Sequence, residues 1–177
     1  MNKPQIRARM RALLPLPPDV RGERSRRICE SIVAHPTWAT ARTVATFAPQ
    51  QREPDVDILW QYADARTFAY PRVEGEFIVF HSVASIFELQ PAQWGIREPA
   101  ASAHSQIRTD EIDLVLVPGV AFTRDGQRCG RGGGYYDRLL AQLPARTVKL
   151  GICFAEQLVD SLPLEAHDAM VDGVIFA

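Results

Sequence analysis

The sequence predicts an α/β fold: a single domain over residues 1–177, built as a three-layer sandwich with a mainly parallel sheet and helices on both faces. Three observations predict it. Short apolar runs rich in Val, Ile and Phe alternate with stretches of helical periodicity. A glycine-rich segment stands between one such run and a helix start, the arrangement found beyond the carboxyl end of a strand in open α/β sheets. No repeat, low-complexity segment or linker divides the chain.

The elements follow in order. Lys3 to Leu14 has helical spacing, with Ile6, Met10, Leu13 and Leu14 on one face and arginines on the other; Pro15, Pro17 and Pro18 end it. Asp19 suits the cap of a second helix reaching about His35, with Val20, Ile28, Ile32 and Val33 inward. Thr43 to Ala48 reads as a strand and Pro54 to Ala65 as a helix. Arg66 to Tyr70 reads as a short strand stopped by Pro71, and Glu76 to His81 as another. A loop carrying Trp94 and Gly95 to Pro99 comes next. Asp113 to Val117 is a strongly apolar strand, Tyr135 to Leu143 a helix, and Thr147 to Phe154 a strand. Ala155 to Leu162 suits a short helix, and Val171 to Ile175 a closing strand.

Composition narrows the function. Hydrophobic residues make up 46% and charged residues 23%, as in ordinary globular domains. The formal net charge of −1 argues against a dedicated nucleic-acid binder. An RNA-binding role for the basic N-terminus would need basic and aromatic residues interleaved, and they are not. Cys29, Cys129 and Cys153 have no CxxC spacing and suit neither a disulfide framework nor a zinc site. No secretory h-region is seen, and no apolar run nears the roughly 20 residues of a membrane span. A cytoplasmic protein with no membrane or nucleic-acid partner is expected, and a monomer.

The most informative stretch is Gly126-Gln-Arg-Cys-Gly-Arg-Gly-Gly-Gly-Tyr-Tyr-Asp-Arg138. Gly130, Gly132, Gly133 and Gly134 let the backbone approach a ligand closely. Arg128 and Arg131 supply planar forks of donors suited to phosphate or carboxylate. A helix start directly after the loop adds free N–H groups and a positive dipole end. Phosphate is the ligand these features fit. The loop is neither a Walker loop, since no Gly-Lys-Ser/Thr closes it, nor a dinucleotide fingerprint, since Tyr135 stands where the third glycine belongs.

Other residues admit two readings each. Lys3 and Arg7 share a helix face and form either a polyphosphate clamp or a solvated basic face. Asp137 and Asp168 suit Mg²⁺, which needs only one or two carboxylates beside phosphate and water; equally, they suit a first-turn acid and a turn cap. Glu53 either accepts N–H groups of a ligand or begins a helix. Trp94 either stacks on a flat ring or anchors a loop. The histidines 35, 81, 104 and 167 are scattered, and no nucleophile elbow or Cys/His pair is present. Chemistry by positioning and electrostatics is therefore expected, without a protein nucleophile.

Taken together, these motifs resemble the 5-formyltetrahydrofolate cyclo-ligase family, also called 5,10-methenyltetrahydrofolate synthetases, over nearly the full length. Lys3-x-x-Ile-Arg7 is similar to the family's N-terminal motif, and Trp94-Gly-Ile-Arg-Glu-Pro99 to its Gly-Ile-x-Glu-Pro segment. Asp113 to Phe122 followed by Gly126 to Arg138 matches its most specific signature, and Leu162-Pro-x-Glu-x-His-Asp168 its C-terminal motif. The resemblance implies an ATP- and Mg²⁺-dependent ring closure of 5-formyltetrahydrofolate to 5,10-methenyltetrahydrofolate, with release of ADP and phosphate through a phosphorylated formyl intermediate. It implies ATP phosphates held by Lys3, Arg7, Arg128 and the loop Gly130, Arg131, Gly132, Gly133 and Gly134, with Tyr135 and Tyr136 beside them. It implies Arg131 and Tyr135 at the reacting groups, Mg²⁺ on Asp137 and Asp168, and the folate against Glu53, Trp94, Arg131 and Tyr135. Gly133 stands where some members carry lysine, and the Ala48–Asp55 loop matches the family only loosely, leaving Glu53 and Asp55 both open for the pterin. A non-catalytic nucleotide- or folate-binding relative is the alternative.

Overall fold

The computed structural model describes residues 1–100 and 105–177; His104 lies outside the described residues. Helix α1 (Lys3–Leu13) opens with Asn2 and Gln5 in a reciprocal capping box. It buries Ile6 and Met10, whereas Leu13 stays exposed and Leu14, just past the helix, is buried. Helix α2 (Pro18–Val33) begins after Pro17, so Asp19 is a first-turn acid and not the cap. A short helix, α3 (Pro36–Thr40), was not expected; it is capped by His35 and buries Trp38.

Strand β1 (Thr43–Ala45) is followed by 3₁₀ turns at Val56–Tyr62, where an α-helix was expected. The apolar side, Val56 and Leu59, is buried as the pattern requires, and Asp55 caps the segment. Strand β2 (Thr67–Glu74) runs through Pro71 and turns back into β3 (Phe77–Val83), with Pro71 opposite Phe80. Proline is tolerated there because β1 pairs only with residues 67–69 of β2, leaving the missing N–H without a ladder partner to lose. The Trp94 loop is a small hairpin, β4 (Leu89–Pro91) with β5 (Arg97–Pro99). Strand β6 (Gln106–Ile107) lines the edge, and β7 (Leu114–Pro118) runs through the centre. A hairpin, β8 (Ala121–Phe122) with β9 (Arg128–Cys129), stands between β7 and the glycine loop, which the sequence had joined directly. Then come α4 (Tyr135–Gln142), β10 (Val148–Cys153), a single 3₁₀ turn at Ala155–Gln157 in place of the expected longer helix, and β11 (Gly173–Phe176).

The main sheet has the order β11-β10-β7-β1-β2-β3-β6. The first five strands are mutually parallel, and β3 is antiparallel to both its neighbours. On one face α2, α3 and the Val56–Tyr62 turns pack Ile28, Ile32, Trp38 and Leu59 against Val44, Phe68, Leu114 and Ile152. On the other, α4 packs Leu139 and Leu140 against Ala45, Val115 and Val117. The three-layer α/β expectation thus holds, with an antiparallel edge added. Chain order reverses at β1, whose neighbours are β2 on one side and β7 on the other. A crevice opens beyond the carboxyl ends of strands at such a switch point.

Candidate active site

Most of the sequence-predicted residues meet at that crevice, whereas Lys3 and Asp168 line neither of its cavities. Past β1 the chain supplies Phe47, Ala48, Gln50 and Glu53, the end of β7 supplies Pro118 followed by Gly119, and the glycine loop closes the opposite wall. Two cavities result. The first, about 440 Å³, is lined by apolar groups including Phe47, Pro71, Val73, Ile78 and Ile96, with Glu53, Arg128, Arg131 and Asp137 as its charged groups beside Glu98. The second, about 610 Å³, is ringed by Arg7, Arg11, Arg52 and Arg131. Gln50, Glu53, Trp94, Gly119 and Arg131 line both and form the wall between them.

The glycine loop has a distinct reason for each glycine. Gly132 and Gly134 have φ of +113° and +69°, a region side chains disfavour. A Cβ on Gly130 would sit 2.9 Å from the Arg128 guanidinium, and one on Gly133 would sit 2.8 Å from the Tyr135 ring. No side chain caps α4, since Gly134 is its N-cap, so its first N–H groups are left for an anion.

Cations gather at and beside this loop, each held by a protein acceptor, and Arg138 donates to the Gly133 carbonyl at 2.9 Å. Arg7 donates from Nε to the Gly130 carbonyl at 2.8 Å. Lys3 lies 2.7 and 2.8 Å from the two oxygens of Asp168 and 3.3 Å from Glu165. Arg128, with its side chain only 3% exposed, pairs with Asp137 at 2.7 Å and lies under the loop. Arg131, half exposed, donates to Glu53 at 2.6 Å and to Gln50. Glu53 is buried at the wall, whereas Asp55 caps the Val56–Tyr62 segment and lines neither cavity.

Trp94 is exposed, has a left-handed backbone (φ +58°) and stands over Tyr135 with ring centroids 6.4 Å apart. The Tyr136 hydroxyl is buried without a hydrogen-bond partner among the described residues, and Tyr136 lines the first cavity. Such an orphan costs about 1–3 kcal/mol, which a ligand acceptor would relieve. Burial also pushes its pKa up, so the hydroxyl stays a donor. Burial likewise raises the Cys129 thiol, against the nearby cations, which suits packing and not nucleophilic attack.

Asp137 lines the first cavity, while Asp168 lines neither; the two are joined by the Ala169 amide, which donates to Asp137 Oδ1 at 3.3 Å. No group of three or more His, Cys, Asp or Glu among the described residues is placed to hold a metal. A hard cation completing its shell with phosphate and water fits the Asp137 carboxylate; a protein-enclosed metal does not.

For Asp168, burial works against the carboxylate, but the Lys3 ammonium and the Glu165 amide more than offset it and hold the pKa below the usual value. Burial likewise opposes the Lys3 charge, yet Asp168 and Glu165 leave its pKa raised. A depressed acid contributes stability that is lost as pH falls through its folded pKa; a raised base contributes stability lost as pH rises through its own. The contact is therefore intact between about pH 4 and pH 10. The melting-temperature difference between wild type and Lys3→Gln is expected to stay constant from about pH 5 to 9 and to shrink below about pH 4. A difference that does not change in acid would show that the contact adds nothing to stability.

The whole chain, residues 1–177, matches the profile of the 5-formyltetrahydrofolate cyclo-ligase family. The chain belongs to that family. It is similar to the 5-formyltetrahydrofolate cyclo-ligase of Escherichia coli K12, at 31% identity over 96% of this chain and 95% of that protein. The Mus musculus cyclo-ligase is 24% identical, over 97% of this chain and 90% of its own. Among solved structures, Aquifex aeolicus 5,10-methenyltetrahydrofolate synthetase superposes with a TM-score of 0.87 at 29% identity, covering 99% of this chain and 90% of that one. A synthetase from Mycoplasma pneumoniae does so at 0.80 and 25%, covering 99% and 98%. In this cyclo-ligase family member, sequence reasoning missed Gln50, Arg11 and Arg52 on the cavity walls. A polar run directly after a central strand, Gln50-Gln51-Arg52, was the available signal for two of them. No helix among the described residues is long and apolar enough to cross a membrane.

Proposed function

We propose that this protein closes 5-formyltetrahydrofolate to 5,10-methenyltetrahydrofolate, driven by ATP and releasing ADP and phosphate. The observation that carries the reading is the shared wall: a largely apolar cavity with a buried carboxylate adjoins an arginine-ringed one, and Arg131 reaches into both. A flat ring rich in N–H groups suits the first, with Glu53 accepting from it and Trp94 and Tyr135 against its faces. A polyphosphate suits the second and the loop, held by Arg7, Lys3 and the amides of Gly130 to Tyr136.

The formyl oxygen attacks the γ-phosphorus, forming an O–P bond as the bond to ADP breaks. N10 then attacks the activated formyl carbon, the C–O bond breaks, phosphate leaves with the electron pair, and the N10 proton passes to solvent. Alignment and charge stabilisation are what such a transfer needs from a protein. Arg131 neutralises charge on the transferring group, and Arg128 holds the loop from beneath. Tyr136 donates its orphan hydroxyl to the ligand. Mg²⁺ would be held by Asp137, with Asp168 available through water or once Lys3 turns to phosphate, and would offset charge on the polyphosphate.

The test is absorbance at the methenyl-folate band after mixing the protein with 5-formyltetrahydrofolate, ATP and Mg²⁺. A rise requiring both ATP and Mg²⁺ is expected. No rise from folded protein that still binds ATP would replace this reading with a non-catalytic nucleotide-binding relative.

A further inference from the structure

We infer that Gln50 is a positioning residue that holds Arg131 at the reacting phosphoryl group and ties it to the Trp94 roof. The inference rests on the proposed reading of the two cavities. Gln50 lies in a turn whose backbone is fixed on several sides. Its carbonyl accepts from the Glu53 amide at 2.9 Å and from Arg21 of α2 at 3.4 Å, and its own amide donates to Glu53 Oε2 at 2.9 Å. From this anchored turn the side chain spans the wall. Its Oε1 accepts from Arg131 Nη1, and its Nε2 donates to the Trp94 carbonyl at 3.1 Å.

Arg131 needs such a partner. It is half exposed, it stands between Gly130 and Gly132, and its other side-chain acceptor is Glu53. Once a ligand's N–H groups engage Glu53, that carboxylate is shared, and Gln50 remains as the neutral acceptor that keeps the guanidinium in the wall. A neutral amide suits this place, because a second carboxylate would repel the phosphates while an amide orients the fork without cancelling its charge. The same amide group fixes the roof, so ligand seated under Trp94 and the cation over the phosphoryl group are set by one side chain.

Gln50→Ala and Gln50→Met separate this role from packing, since methionine keeps the volume and removes both hydrogen bonds. Both variants are expected to lose up to about 100-fold in kcat, as misplacement of a catalytic group does, with KM for ATP moving far less. Acrylamide quenching of Trp94, assigned by subtraction of a Trp94→Phe variant, is expected to rise in both. A Gln50→Met enzyme with wild-type kcat, or a loss carried wholly by KM, would overturn the inference. Wild-type protein that makes no methenyl product would sink the proposed function instead. The bridge is still judged in that case, because unchanged quenching refutes it and increased quenching upholds it.

Discussion

Arg131→Ala is expected to lower kcat by about 10²- to 10³-fold, the usual effect of removing one donor aimed at developing charge. The loss should fall equally on kcat and kcat/KM if the guanidinium acts mainly in the transition state. Fold stability should suffer little, because the side chain is half exposed and Glu53 keeps the Gln50 amide as a donor. A cost of about 1–2 kcal/mol for the lost charge-assisted bond is the expected scale. Arg131→Lys should fall between wild type and alanine, since one ammonium cannot serve Gln50, Glu53 and a phosphate with a planar fork. Steady-state kinetics with thermal melts would check this, and near-normal turnover in Arg131→Ala would remove the residue from the mechanism.

Asp137→Ala is expected to be severe for two separate reasons. Its partner Arg128 is buried and also donates to the Pro118 carbonyl at 3.4 Å, so alanine strands a guanidinium away from water. Breaking a buried pair in this way costs about 3–5 kcal/mol, a large share of the 5–15 kcal/mol typical of a domain. Loss of activity in that variant therefore does not by itself identify a metal ligand. Asp137→Asn keeps an oxygen acceptor for Arg128 and for the Ala169 amide but removes the charge. It should melt within a few degrees of wild type, lose activity and shift its Mg²⁺ requirement upward. Wild-type turnover with an unchanged Mg²⁺ dependence in Asp137→Asn would take Asp137 out of the metal site.

Much of this site was legible because its residue types are chemically unusual. Gly130 to Gly134 with Arg128 and Arg131 mark a candidate anion site by density alone, and the pairing of Lys3 with Arg7 follows from helical spacing. Partners were not legible. Lys3 pairs with Asp168 and Arg131 with Glu53 across long sequence separations, which no local pattern encodes. The same limit explains the fold. Apolar runs located the five parallel strands, but the strand was ended at Pro71 because proline cannot donate to a ladder, and only the assembled sheet shows that β1 is too short to need that donor. The β8–β9 hairpin, with two residues per strand, is too brief for alternation to show. Gln50 was overlooked because a polar run after a strand marks a cavity wall but not the residues that one glutamine in it will bridge.

The Lys3–Asp168 contact spans 165 positions, and Gly126, whose carbonyl accepts from Val171, fastens the same C-terminal segment. Candidate site residues are thus gathered from both ends of the chain, while the sheet beneath is a continuous ladder. Local opening draws first on regions with few buried contacts. Mild denaturant should therefore abolish ligand binding before it disturbs the sheet, so that inactivation precedes unfolding and the protein can idle as an intact but incompetent scaffold.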